Sequence, residues 1–291
     1  MPLNIFTARD HEILSALDRC PLTAAQLLKL SQTFSRPFGA ERLVRRRLTK
    51  LEQSGLVRRA TYTALAGRGA PNYYLLTPLG HRMLHGPDAP QPTKRFGRPL
   101  GPASHRHAWS LAEVIVQLSV AAQRLGTKLG GFCRENSVAL SDGEHTVYPD
   151  CAFQLVRTGS EPFSYFVELD NSTERLASVK DIDSWERKIR VYDAVRARST
   201  TRFRVLVFTT KSADRLTHIL VLARRLVSNS QRTLVCGTTL DTFLQTQQPL
   251  TDPVFLNHRG QALSLLPAQA GQRSETQPQL IGSAIADVKP D

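Results

Sequence analysis

The stretch Y-F-V-E-L-D-N-S-T-E, residues 165–174, decides how the chain is read. An apolar run suited to a buried strand ends in Glu168, Asp170 and Glu174, with no lysine among them. Side chains alternate along a strand, so Phe166, Glu168 and Asp170 share one face. Upstream, T-V-Y-P-D-C-A-F-Q-L-V (146–156) reads as a second strand with Asp150 after Pro149, and R-T-G-S-E-P reads as the turn between them. If the two strands pair as a hairpin, Asp150 approaches Glu168 across the sheet. Carboxylates crowded on one face repel unless a cation sits among them. Hard oxygen donors around an open position suit Mg²⁺ or Mn²⁺, which makes Asp150, Glu168 and Asp170 the candidate metal ligands. Such an ion lowers the pKa of a bound water and stabilises charge on a phosphate. A solvated strand end is the plain alternative.

Working outward, 105–125 is a strong helix and L-G-G-F-C-R-E-N a short strand. Residues 172–197 read as one long helix. R-F-R-V-L-V-F-T-T is a buried strand, 211–227 a helix and T-L-V-C-G a last strand. The order α-β-β-β-α-β-α-β describes a mixed α/β domain over 105–245. On the long helix, Ile182, Trp185, Ile189 and Tyr192 form one arc that should face the sheet. Lys188 lies roughly 60° from the middle of that arc and Lys180 roughly 140° away, so Lys188 reaches inward. Asn171 as a cap puts Glu174 at the third helical position, the layout of a capping box, beside its reading as an accessory ligand. Glu113 and His107, on the first helix, are further accessory candidates; their ordinary readings are a solvated helix face for Glu113 and a helix-start residue for His107.

The region 7–85 reads helix, helix, helix, hairpin, helix. Thr7 and Thr23 are placed to cap the first two helices. In the third, Val44, Leu48 and Leu51 recur at helical spacing and face a core. This leaves Arg42, Arg45, Arg46 and Lys50 outward. Gly55 stops that helix, and two strands follow around the tip A-L-A-G-R-G-A, bringing Arg58, Arg59 and Arg68. Thr77 and Pro78 open a last helix. This order resembles a winged helix-turn-helix domain, whose third helix enters the major groove while the wing lies along the backbone. The resemblance makes those seven basic residues candidate contacts to double-stranded DNA.

Charge agrees with a polyanionic partner. The net charge is +13, and residues 1–104 hold 16 Lys and Arg against 6 Asp and Glu, a net +10. Most of the excess therefore sits in the first third of the chain, an asymmetry poorly explained by solubility. The segment 86–104, dense in Pro and Gly, reads as a linker, and 267–291 as a disordered tail. Four widely spaced cysteines fit reduced thiols in a cytosol. No run of eighteen apolar residues, no secretion-signal core, no G-x-x-x-x-G-K-[ST] loop and no zinc-ligand spacing is evident. The expectation is a cytoplasmic protein without membrane or nucleotide partners.

Two resemblances sharpen the second domain. P-D at 149–150 and E-x-D at 168–170 within α-β-β-β-α-β resemble the PD-(D/E)XK nuclease fold. The chain departs from it where Asp170 replaces the expected lysine, and in some members of that superfamily the basic residue has moved to the following helix, where Lys188 stands. K-x-x-x-Y at 188–192 resembles the Q-x-x-x-Y element of RecB-like nucleases. Over nearly the whole chain, H-A-W-S-L-A-E-V, P-D, E-L-D-N-S-T-E and K-I-R-V-Y resemble the replication-relaxation family of bacterial and plasmid-borne proteins. The matched residues are His107, Asp150, Glu168, Asp170, Thr173, Glu174, Lys188 and Tyr192. The resemblance implies action on supercoiled DNA at the nucleoid or a plasmid. In the enzymatic reading Asp150, Glu168, Asp170 and Lys188 are catalytic and nick duplex DNA with Mg²⁺ or Mn²⁺. In the other, an inactive nuclease-like domain serves a DNA-binding regulator of replication or transcription. A second copy of the chain is a candidate partner. A third reading makes Tyr192 the nucleophile of a strand transferase.

Overall fold

A computed structural model describes residues 6–63, 69–90, 92–93, 96–171 and 184–266. The chain divides into two compact units, Met1–Val120 and Ala121–Asp291. That division falls inside a helix rather than in the Pro/Gly-rich segment 86–104. The described residues form a mixed α/β structure.

The first unit runs α1 (Ala8–Arg19), β1 (Leu22–Thr23), α2 (Ala24–Leu30), α3 (Glu41–Gln53), β2 (Val57–Thr61), β3 (Asn72–Leu76) and α4 (Pro78–His85). Local chemistry sets each boundary. Thr7 and Thr23 close reciprocal capping boxes with Asp10 and Gln26. Gly55, at φ +71°, ends the turn after α3 in a conformation that only glycine adopts freely. Thr77 caps α4, with Pro78 at its first position. The strands form a three-stranded antiparallel sheet in the order β1-β3-β2. Val44, Leu48 and Leu51 are buried, as the helical period predicts. The described part of 86–104 is bound to this unit. Arg58 Nη1 donates to the Gly97 carbonyl (3.1 Å), and the Leu100 amide donates to Tyr73 Oη (2.8 Å).

The helix α5 (His105–Arg124) contains the division. The second unit continues with β4 (Lys128–Cys133), β5 (Leu140–Ser141), β6 (Thr146–Val147), β7 (Cys151–Val156), β8 (Phe163–Asp170), α6 (Trp185–Arg198) and β9 (Phe203–Thr209). Then come α7 (Ala213–Leu226), β10 (Val235–Thr239), α8 (Leu240–Gln245), β11 (Phe255–Asn257) and β12 (Ala262–Leu263). Seven strands make one sheet in the order β12-β11-β10-β9-β8-β7-β4. The pairs β8–β9 and β9–β10 are parallel, and the other pairs are antiparallel. One apolar core joins Phe166, Val205 and Val207 of the sheet to Trp185, Ile189 and Tyr192 of α6 and Leu216 and Ile219 of α7. A second aromatic cluster, Phe208, Phe243 and Phe255, links β9, α8 and β11. Gly237 lets β10 approach β9 and α7, because a Cβ there would lie 2.6 Å from both the Val207 carbonyl oxygen and a Leu216 methyl.

Three readings need correction. The segment 146–156 is not one strand. Pro149, which has no N–H to give a ladder, separates β6 from β7, and β6 pairs with β5 in a small sheet of its own. The helix expected over 172–197 begins at Trp185. Ser184 has extended backbone, and its hydroxyl accepts from the Arg187 amide, a helix start that the continuous apolar arc concealed. The sheet also runs past 245, through β11 and β12 to Leu263. Residues 172–183, with Thr173, Glu174, Lys180 and Ile182, lie outside the described residues, as do Arg68 and the tail 267–291.

Candidate active site

The site grows from the β7–β8 register. Cys151 opposes Val167, so one step further Asp150 opposes Glu168 on the same face of the sheet. Asp150 is half-buried. Its amide donates to the Val167 carbonyl (3.0 Å), and its Oδ2 accepts from the Leu169 amide (2.6 Å). The acid therefore stands on two backbone bonds at the strand entrance, where Pro149 has ended the preceding strand.

Glu168 is 1% exposed. α6 lies over it, and the one-turn spacing of Lys188 and Tyr192 delivers both side chains to a single carboxylate. Lys188 Nζ donates to Oε2 (2.8 Å), and Tyr192 Oη donates to Oε1 (2.5 Å). Lys188 also stands over the Trp185 ring, 5.4 Å from its centroid. Burial pushes the Glu168 carboxyl up to about 7. Lys188 opposes that rise, the charge of Asp150 adds to it, and the Lys188 and Tyr192 hydrogen bonds oppose it. The proton on this carboxyl is thus poised near neutrality, in contact with a cation and a phenol.

Asp170 shares the Glu168 face and is equally buried, but other groups hold both of its oxygens. Arg215 grips it in a fork, Nε to Oδ2 at 2.9 Å and Nη2 to Oδ1 at 3.0 Å. Trp185 Nε1 donates to Oδ1 at 3.1 Å. These bonds tie the end of β8 to the start of α6 and to α7. The structure thus brings Asp150, Glu168, Lys188 and Tyr192 together and commits Asp170 to Arg215 and Trp185.

Sequence reasoning misses Glu135. It lies two residues beyond β4, and one of its carboxylate oxygens comes within 4.8 Å of one from Asp150. A bulge hides the signal. Pairing of β4 with β7 shifts register between Gly130 and Cys133, so counting along the strand does not align Glu135 with Asp150. Of the other accessory candidates, His107 lies in the first turn of α5, and Glu113 Oε1 accepts from Gln26 Nε2 (3.0 Å) within the first unit.

The expected basic face of α3 and β2 divides by role. Arg42, Arg45, Arg46, Lys50, Arg58 and Arg59 are exposed. Arg45 bonds Glu41 (2.6 and 2.8 Å), Arg59 lies 3.6 Å from Glu52, and Arg58 holds the Gly97 carbonyl. Arg47 turns inward and grips the fully buried Asp10 with two nitrogens.

A family model described as replication-relaxation matches residues 18–206. The chain belongs to the replication-relaxation family. The matched span covers α2 through the middle of β9, and so includes Asp150, Glu168, Lys188 and Tyr192. Membership ties the chain to replication and relaxation. No curated protein and no solved structure matches it. Among the described residues, no helix is long and apolar enough to cross a membrane.

Proposed function

We propose that this replication-relaxation protein binds duplex DNA through its first unit and cuts or nicks it at the Asp150–Glu168–Lys188 pocket of its second. The observation that carries the catalytic half is the burial of Glu168 opposite Asp150, with its oxygens held by Lys188 and Tyr192. A carboxyl whose proton is poised near neutrality beside a second acid gains most from an added cation. Asp150 before β7, Glu168 near the end of β8 and Glu135 beyond β4 offer hard oxygen donors, which fits Mg²⁺ or Mn²⁺. When bound, such an ion supplies an acidified water and charge neutralisation at the phosphate. The chain supplies the rest. Lys188, released from its Glu168 contact, places an ammonium where a scissile phosphate or attacking hydroxide needs it, as the strand lysine does in nucleases of this type. Tyr192 steadies Glu168 and is buried, which argues against a covalent nucleophile. Asp170, anchored to Arg215, fixes the strand end that carries the pocket.

The exposed arginines of α3 and β2, beside a winged-helix element order and a net +10 over residues 1–104, support the DNA-binding half. A second reading has its own observation. Both inward carboxylates of β8 already hold cationic side chains, Lys188 and Arg215, as in a domain kept for architecture alone. Supercoiled plasmid incubated with Mg²⁺ or Mn²⁺ separates the two readings. The proposal expects conversion to open circles, lost in Asp150→Ala and in Glu168→Ala. Tight duplex binding without cleavage under either ion would leave the regulatory reading.

A further inference from the structure

In the first unit, away from the carboxylate pocket, α1 and α4 bring together three side chains of metal-ligand type. His81 and His85 are four residues apart on α4, so both imidazoles leave the same face. Asp18 lies in the last turn of α1. One Asp18 oxygen is 3.3 Å from His81 Nδ1 and the other 3.1 Å from His85 Nε2. The two rings stand 4.5 Å apart, centroid to centroid. His81 is buried and Asp18 mostly so, while 45% of the His85 side chain is exposed, which opens the cluster to solvent on one side.

The second nitrogen of His81 fixes the chemistry. Nε2 lies 3.1 Å from the Pro90 carbonyl oxygen, an atom that only accepts, so Nε2 carries the hydrogen. In the neutral imidazole Nδ1 then points a lone pair at a carboxylate oxygen, which also only accepts. A cation between them removes that conflict. Metal-ligating histidines regularly donate their other N–H to a backbone carbonyl, which is what His81 does with Pro90. Donors about 2.0–2.1 Å from a tetrahedral Zn²⁺ stand roughly 3.3 Å apart, close to the 3.3 and 3.1 Å that separate the two Asp18 oxygens from the His81 and His85 nitrogens. Two imidazoles with one carboxylate select an ion of the zinc class over Mg²⁺.

We propose that Asp18, His81 and His85 form a Zn²⁺ site, its fourth position open to solvent, that clamps the end of α1 to α4. The competing state of the same geometry is a proton on Nδ1, an imidazolium–carboxylate pair that needs no metal.

The metal-stripped full chain titrated with Co²⁺, then Zn²⁺, tests this. One equivalent of Co²⁺ should give the intense visible bands of tetrahedral coordination. Zn²⁺ should displace it and raise the melting temperature. His85→Ala, at a half-exposed position, and Asp18→Asn should lose both the bands and the Zn²⁺-dependent shift, whereas Glu168→Gln should keep them. Absence of the bands in the unaltered chain, or bands that survive His85→Ala, overturns the proposal. Neither outcome bears on cleavage at the β8 pocket.

Discussion

The chemistry of Glu168 turns on its protonation. Its carboxyl sits at about 7 in the fold against 4.5 in the free state, because burial penalises the charge more than Lys188 and Tyr192 recover it. A carboxyl raised by folding contributes stability that is complete below its unfolded value near 4.5. That contribution is lost as pH climbs through about 7. A metal ligand is wanted in the opposite, ionised form. Nicking at limiting Mn²⁺ is therefore expected to be about tenfold faster near pH 8 than near pH 6, as one proton leaves the site. A rate unchanged across that range would contradict the assignment. Asp170 shows where sequence reading stops. Alternation correctly places it on the Glu168 face, but its partner Arg215 lies on α7, 45 positions downstream, and no local pattern announces that pairing. Lys188 is reachable from sequence because helical geometry relates it to the buried arc of its own helix. Glu135 is not, because a bulge changes the count.

At the scale of elements, caps and periods are legible because their causes are local. Thr7, Thr23 and Thr77 each close a helix start, and Val44, Leu48 and Leu51 mark the inner stripe of α3. The failures at Pro149 and Ser184 are breaks inside stretches whose apolar residues resume on the far side. α3 also shows that a row of arginines is not one population. Arg46 is exposed, while Arg47 neutralises Asp10 in the interior. Arg46→Ala should weaken duplex binding and reduce its salt dependence by about one counterion, with the melting temperature unmoved. Arg47→Ala should instead lower stability by about 3 kcal/mol, since it leaves the buried Asp10 carboxylate without its cation and with only its Thr7 hydrogen bonds. Chemical denaturation and binding titrations over a salt series measure both. A stable Arg47→Ala protein with lost DNA affinity would reverse the two roles.

At the scale of the molecule, two compact units carry different charge and different chemistry. Most of the basic excess sits in the first third of the chain, and the sheet that carries Glu168 and Asp170 belongs to the second unit. Composition alone makes the charge asymmetry visible, because counting needs no knowledge of contacts. The extent of the sheet is less legible, since β11 and β12 are short and antiparallel and follow a parallel core that already looks complete. The claim on which the enzymatic reading rests is that the start of β7 and the end of β8 together hold a divalent ion. Crystals grown with Mn²⁺ and measured at its absorption edge test it most directly. The account predicts an anomalous peak bonded to oxygens of both Asp150 and Glu168, with the Lys188 ammonium withdrawn from Oε2. Full Mn²⁺ in the crystal with no peak between Asp150 and Glu168, and Lys188 still bonded to Glu168, would contradict it.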